Sequence, residues 1–143
     1  MMIIFENIVE NCPKQLDFSS KGGVFKSFLF LHRILKKEYF LETKEKDDQP
    51  VESSQWDCLI LSPAGIFNVL SYREVSQYQR FWAEGSGLRF SLGAMHATYD
   101  LHDDPEKIAR AGIEAACEFD ESSALPVQMY SMPLGKPKRR SLK

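Results

Sequence analysis

From Val24 to Tyr39, apolar residues return every three or four positions: Val24, Phe28, Leu31, Leu35 and Tyr39. Phe25 and Leu29 widen the stripe, while Lys26, Arg33 and Lys37 mostly fall off it. This spacing predicts an amphipathic helix over residues 23–40, with one face that must be covered. Most of that face is core; its richness in Phe25, Phe28, Leu29 and Phe30 makes part of it a candidate subunit interface. The chain can supply a cover. It has 143 residues, of which 43% are hydrophobic, enough for one domain with a real core. With 18 basic and 20 acidic residues, its net charge of −2 argues against disorder of the whole chain and against function through bulk positive charge. No nucleic-acid partner is therefore expected.

No membrane partner is expected either. The longest apolar stretch, Phe28 to Leu31, is broken at once by His32 and Arg33, whereas a membrane helix needs about 20 apolar residues. The opening Met1-Met2-Ile3-Ile4-Phe5-Glu6 has no basic stretch of the secretory-signal kind. Cys12, Cys58 and Cys117 are odd in number and show no CxxC spacing. They argue against a disulfide framework or a cysteine-rich zinc site, and they fit a reducing cytoplasm.

The rest of the chain reads as short strands and two further helices. Met2-Ile3-Ile4-Phe5 is apolar and partly β-branched, which predicts a buried strand. The polar segment 42–55, with its mixed charges and Pro50, predicts an exposed loop. Residues 56–61 and 66–70 flank Ser62-Pro63-Ala64-Gly65, a β-hairpin pattern. A strand is also predicted over 79–83, ending at Gly85-Ser86-Gly87. The next helix spans 88–98, and its small residues Ser91, Gly93, Ala94 and Ala97 predict a close neighbour. The last helix has a clear start: Asp104 as N-cap, Pro105 at N1 and Glu106 in the first turn. Its predicted inward stripe is Ile108, Gly112, Ala115 and Phe119. A final strand is predicted over 126–132, followed by a basic flexible tail over 136–143. Residues 1–135 read as a single α+β domain with helices layered on mainly antiparallel strands.

Several words in this order resemble a known family. They are Ala83-Glu84-Gly85-Ser86-Gly87, Ser91-Leu92-Gly93-Ala94-Met95-His96-Ala97, the Asp104-Pro105-Glu106 helix start, Ala115 to Asp120, and Ser122 to Gln128. Together they resemble the second half of an N-terminal-nucleophile (Ntn) hydrolase of the proteasome β-subunit and HslV type, with its smaller bacterial relatives. The hairpin 58–70 and the Gly22-Gly23-Val24 helix also look like parts of that fold. The resemblance implies an αββα sandwich, association into a homo-oligomer, a peptide or protein substrate and no cofactor. It leaves open a regulatory ATPase as a partner. In that family the first residue of the mature chain is the nucleophile and its α-amino group is the base. An α-amino group, with a pKa of about 8, can accept a proton near neutrality.

By the same resemblance, the family's supporting catalytic residues map onto Ser86, Asp120 and Ser123. Taken singly, Ser86 is an ordinary helix N-cap and 120–123 a polar loop closing a helix; the joint match lifts both. The separation of 34 positions between Ser86 and Asp120 leaves room for two antiparallel helices that return the chain to the same end. Two departures stand out. The family's Ser-Gly-Gly is here Ser123-Ala124-Leu125, which adds side chains where a backbone would approach. The nucleophile, acid and lysine that precede the family's first helix also have no counterpart: the threonines are Thr43 and Thr98, and Cys12 is internal. The expectation is therefore an N-terminally truncated subunit without peptidase activity. The alternatives are a threonine-type peptidase whose true chain extends upstream, or a non-catalytic oligomerising α+β module.

No metal site is expected. His32, His96 and His102 are spaced 64 and 6 apart, matching no helical or zinc-finger ligand pattern. His96 reads as a packed helix residue and His102-Asp103-Asp104 as a solvated turn.

Overall fold

The computed structural model describes residues 2–44 and 49–135, with the side chains of residues 2 and 3 left aside. The basic tail predicted over 136–143 and part of the mixed-charge run lie outside these residues. The chain forms two compact units. One runs up to Gln77 and takes in Leu134 and Gly135; the other is Tyr78–Pro133.

The first unit is organised by helix α2, Lys21–Glu38. Ser20 caps it by accepting the Gly23 N–H at 3.1 Å, so it starts two residues before the predicted position. Val24, Phe28, Leu31 and Leu35 are at most 4% exposed, as their period demands. They pack with Ile8, Phe67, Val69 and Val75 in one core. Ser27 lies on this buried face and satisfies its hydroxyl against the Asp17 backbone: it accepts the N–H at 2.7 Å and donates to the carbonyl at 3.2 Å.

The predicted strand at 2–5 is instead part of helix α1, Met2–Asn11. A four-residue apolar run has no period of its own. Here Ile4, Ile8 and Cys12 complete a helical stripe, with Ile8 buried and Glu6 and Glu10 exposed.

The hairpin forms where its turn residues place it. Strand β1, Cys58–Ser62, pairs antiparallel with β2, Gly65–Val69, in a register running from Ser62↔Gly65 to Cys58↔Val69. Alternation sends Cys58 and Ile60 to the core and leaves Leu59 and Leu61 42% and 49% exposed. Strand β3, Val75–Tyr78, completes the sheet in the order β1-β2-β3. The strand predicted at 79–83 is absent because the β2–β3 turn already brings the chain back. In that turn Arg73 sits at φ 63° and donates its N–H to the Leu70 carbonyl at 2.7 Å. The loop 42–55 is also less exposed than predicted: Thr43, Ser53 and Ser54 are at most 5% exposed.

The second unit is a helix pair. Helix α3, Leu88–Thr98, has the predicted boundaries, and helix α4, Pro105–Phe119, has the predicted start. Asp104 caps α4 by accepting the Glu106 N–H at 3.0 Å. Met95, Ile108 and Ala83 form the core, with Phe81, Leu88, Leu92 and Tyr99 against it. Two details of the predicted stripes differ. Phe119 is 66% exposed, whereas Ala116, one turn from Gly112, is buried. Close approach on α3 occurs at Ser91 rather than at Gly93, which faces open space. Residues 126–132 show strand-like alternation, Val127 and Met129 half-buried between exposed neighbours, yet form no strand among the described residues. Propensity alone makes no ladder without a neighbouring strand.

The architecture is thus α+β, with a three-stranded antiparallel sheet and four α-helices among the described residues. None of these helices is long and apolar enough to cross a membrane. Phe67→Ala, at a fully buried position, should cost about 3–5 kcal/mol. Phe40→Ala, at a residue 87% exposed, should stay within about 0.5 kcal/mol. Urea denaturation of the two variants checks this contrast.

Candidate functional site

Helices α3 and α4 run antiparallel, so the start of one lies at the end of the other. Ser86 precedes α3 and Asp120 follows α4, and the two meet: the Ser86 hydroxyl donates to Asp120 Oδ2 at 2.8 Å. Ser123 donates its hydroxyl to the same oxygen at 2.6 Å. The three residues assigned from the family resemblance are therefore one hydrogen-bonded cluster. Ser86 does not act as a helix cap, since the N-cap position belongs to Gly87 and carries no side-chain cap bond.

Backbone contacts hold the carboxylate in place. Asp120 donates its N–H to the Ala116 carbonyl at 2.8 Å, which ends α4, and Ser123 donates its N–H to the Asp120 carbonyl at 3.1 Å. The Ser123 hydroxyl, followed by the Ser86 hydroxyl and the Ser122 backbone, holds the Asp120 carboxyl below its ordinary range. A carboxylate so depressed stabilises the fold above the ordinary aspartate pKa of about 3.9, and that contribution is lost as pH falls through the folded value. Both serine protons point at Asp120, so both hydroxyl oxygens retain lone pairs for another donor. An array of one negative charge and two such acceptors is suited to holding an ammonium or hydroxyl group. Ala124 and Leu125 are exposed, Leu125 at 63%.

A second polar cluster, in the first unit, was not foreseen from the sequence. His32 lies on the buried face of α2 and is 8% exposed. Its Nδ1 is 3.1 Å from Ser54 Oγ and its Nε2 is 3.2 Å from Glu52 Oε2. Arg73 donates from Nη1 to Ser54 Oγ at 3.2 Å and from Nη2 to the Glu52 carbonyl at 2.7 Å. Lys36 donates to the other Glu52 oxygen. The Lys36 ammonium first, and then the His32 ring, hold the Glu52 carboxyl well below the ordinary carboxylate range. The order Ser54–His32–Glu52 has the look of a nucleophile, base and acid. Ser54 is only 2% exposed, however, and no substrate carbonyl can reach it. The cluster ties α2, the segment 52–54 and the β2–β3 turn together. Its only sequence signal was a histidine on an apolar helix face, because its partners lie 20 to 41 residues away.

The remaining histidines take other positions. His96 is exposed on α3, contrary to the packed position expected, because the buried positions of that turn are Ser91 and Met95. His102 is exposed in the α3–α4 connection. No group of three His, Cys, Asp or Glu side chains able to hold a metal occurs among the described residues.

The shared acceptor at Asp120 makes a pH-dependent prediction. In Ser123→Ala the Asp120 carboxyl should titrate nearer its ordinary value, and Ser86→Ala should move it less. Carboxyl-detected NMR titration measures both; an unmoved midpoint in Ser123→Ala would show that this hydroxyl does not hold the charge.

No family model and no curated protein matches the chain. Solved structures do. Thiobacillus denitrificans BPH matches with a TM-score of 0.77 at 38% identity, over 94% of this chain and 72% of that one. Thiobacillus denitrificans BPH in complex with epoxomicin matches with a TM-score of 0.77 at 39% identity, over 92% and 71%. With this identity sustained over nearly the whole sequence, the chain belongs to the family of Thiobacillus denitrificans BPH, a bacterial proteasome-like protein.

Proposed function

We propose that the chain is a proteasome-like subunit of the N-terminal-nucleophile type. In this reading Ser86, Asp120 and Ser123 are the supporting residues of a peptide-hydrolysing site, and the 143-residue form has no peptidase activity of its own. One observation carries the reading: two hydroxyls from separate motifs converge on a single carboxylate oxygen. Such a cluster accepts hydrogen bonds from an α-amino group and keeps it beside a nucleophilic hydroxyl. In a subunit that presents such a residue at its N-terminus, the amine would take the hydroxyl proton as the oxygen attacks the peptide carbonyl and return it to the leaving amine, and water would then release the acyl group.

The lack of activity is argued from the threonines the sequence holds. Thr43 is 5% exposed within the first unit. The Thr98 hydroxyl donates to the Ala94 carbonyl at 2.8 Å. Both α-nitrogens are in peptide bonds, so neither residue offers a free amine as base. The αββα sandwich and homo-oligomeric assembly belong to the same reading. The outer face of the β1–β2 hairpin, with Leu59 and Leu61 exposed, has the apolar character of a surface covered by a second sheet.

A second reading, an active threonine-type peptidase in a longer chain, is favoured by one observation: this chain covers 72% of its solved relative. A fluorogenic peptide assay on the purified 143-residue chain, with a threonine-reactive inhibitor as control, tests the first reading: no inhibitor-sensitive turnover is expected, and such turnover would overturn it. Reading the genomic DNA upstream of the Met1 codon tests the second: an in-frame continuation carrying Thr, Asp and Lys would establish it. Size-exclusion chromatography with light scattering should give a mass several times that of one chain; a monomer at high concentration would count against assembly.

A further inference from the structure

We infer that Gly87 is a positioning residue for the Ser86–Asp120–Ser123 site, acting with the Ser91–Gly112 hydrogen bond to hold α3 against α4 at the separation that lets both hydroxyls share one carboxylate oxygen. This rests on the reading of that site given above. A Cβ at Gly87 would stand 2.7 Å from the Ala116 Cβ and 3.1 Å from Ser123 Oγ. Carbon atoms in good contact are about 3.5–4.0 Å apart, so any side chain would push the helices apart by about 1 Å. The two hydroxyl contacts at Asp120, at 2.8 and 2.6 Å, do not tolerate such a shift.

The route from Gly87 to the carboxylate is direct. Ala116, the residue a Gly87 side chain would strike, is also the one whose carbonyl accepts the Asp120 N–H at 2.8 Å. Moving Ala116 moves Asp120. The backbone gives no other reason for glycine here, because φ −79° and ψ 5° are open to any residue. Space against α4 is what the position requires.

A second point one turn further along each helix fixes the register. Ser91, 4% exposed, donates its hydroxyl to the Gly112 carbonyl at 3.0 Å. A Cβ at Gly112 would meet Met95 Cγ at 2.8 Å and the Ser91 carbonyl oxygen at 3.2 Å. The facing residues Gly87/Ala116 and Ser91/Gly112 therefore form one seam, and neither helix can slide without breaking the buried hydrogen bond.

The test uses three variants of the 143-residue chain: Gly87→Ala, Gly87→Ala combined with Ala116→Gly, and Ser91→Ala. The readout is the NMR titration midpoint of the Asp120 carboxyl, with circular dichroism to verify folding. Gly87→Ala should raise the midpoint toward that of an unpartnered aspartate. Ala116→Gly makes room for the new methyl and should lower it again. Ser91→Ala should raise it by a smaller amount. An unchanged midpoint in folded Gly87→Ala overturns the inference, as does failure of the double variant to restore it. If Gly87→Ala does not fold, Ser91→Ala decides, and an unchanged midpoint there overturns the inference too. Peptide turnover plays no part in this readout, so failure of the peptidase reading and failure of the positioning role are separate results.

Discussion

Two helices can bring their backbones together only where their facing side chains are small, and the second unit depends on that constraint. Gly87, Ser91, Gly112 and Ala116 form the seam between α3 and α4. Larger residues would still give an antiparallel pair, at the wider spacing of ordinary helix packing. The hydroxyl of Ser86 would then fall short of Asp120. The small residues thus serve the close helix spacing more than apolar burial, which would favour larger ones. The remaining stability of this unit comes from Met95, Ile108 and Ala83 and the partly buried aromatics against them.

The first unit follows a different logic. Its core is a helix laid on one face of a sheet, with Phe67 and Val69 of β2 against the apolar stripe of α2. Trp56 completes it, its ring centroid 4.9 Å from that of Phe5 and 5.1 Å from that of Phe28. Some polar groups enter this interior with partners, whereas the Trp56 indole nitrogen and the Asn68 amide oxygen are buried without one. Ser27 is matched by the Asp17 backbone, and His32 by Ser54 and Glu52. A buried imidazole with both nitrogens engaged fixes the position of its neighbours, because leaving either nitrogen unpaired would cost the full desolvation of a polar group. Arg73 contributes in the same way, held at a positive φ while its guanidinium ties the turn to Glu52 and Ser54.

Membership in a proteasome-like family and the cluster at Asp120 rest on different kinds of observation. Identity with BPH is a property of the whole sequence. The shared acceptor is local geometry, and it would suit an ammonium group in any fold. Ala124 and Leu125, next to the cluster in sequence, are both exposed.

Sequence by itself determined the elements whose signals are local. Asp104-Pro105 started α4, Pro63-Ala64 turned the hairpin, and the Val24–Leu35 period set the buried face of α2. Each depends on contacts within a few residues, which spacing records. The motif words also singled out Ser86, Asp120 and Ser123 by resemblance. Only the tertiary structure decided that these three meet on one oxygen, because that requires an ångström-scale helix separation set by residues on both helices. It likewise decided that Met2–Asn11 is helical and that 126–132 forms no strand among the described residues. A short apolar run is compatible with either period until something packs against it. The His32 network was illegible for the same reason: its partners come from distant segments, and no spacing along the chain encodes their meeting.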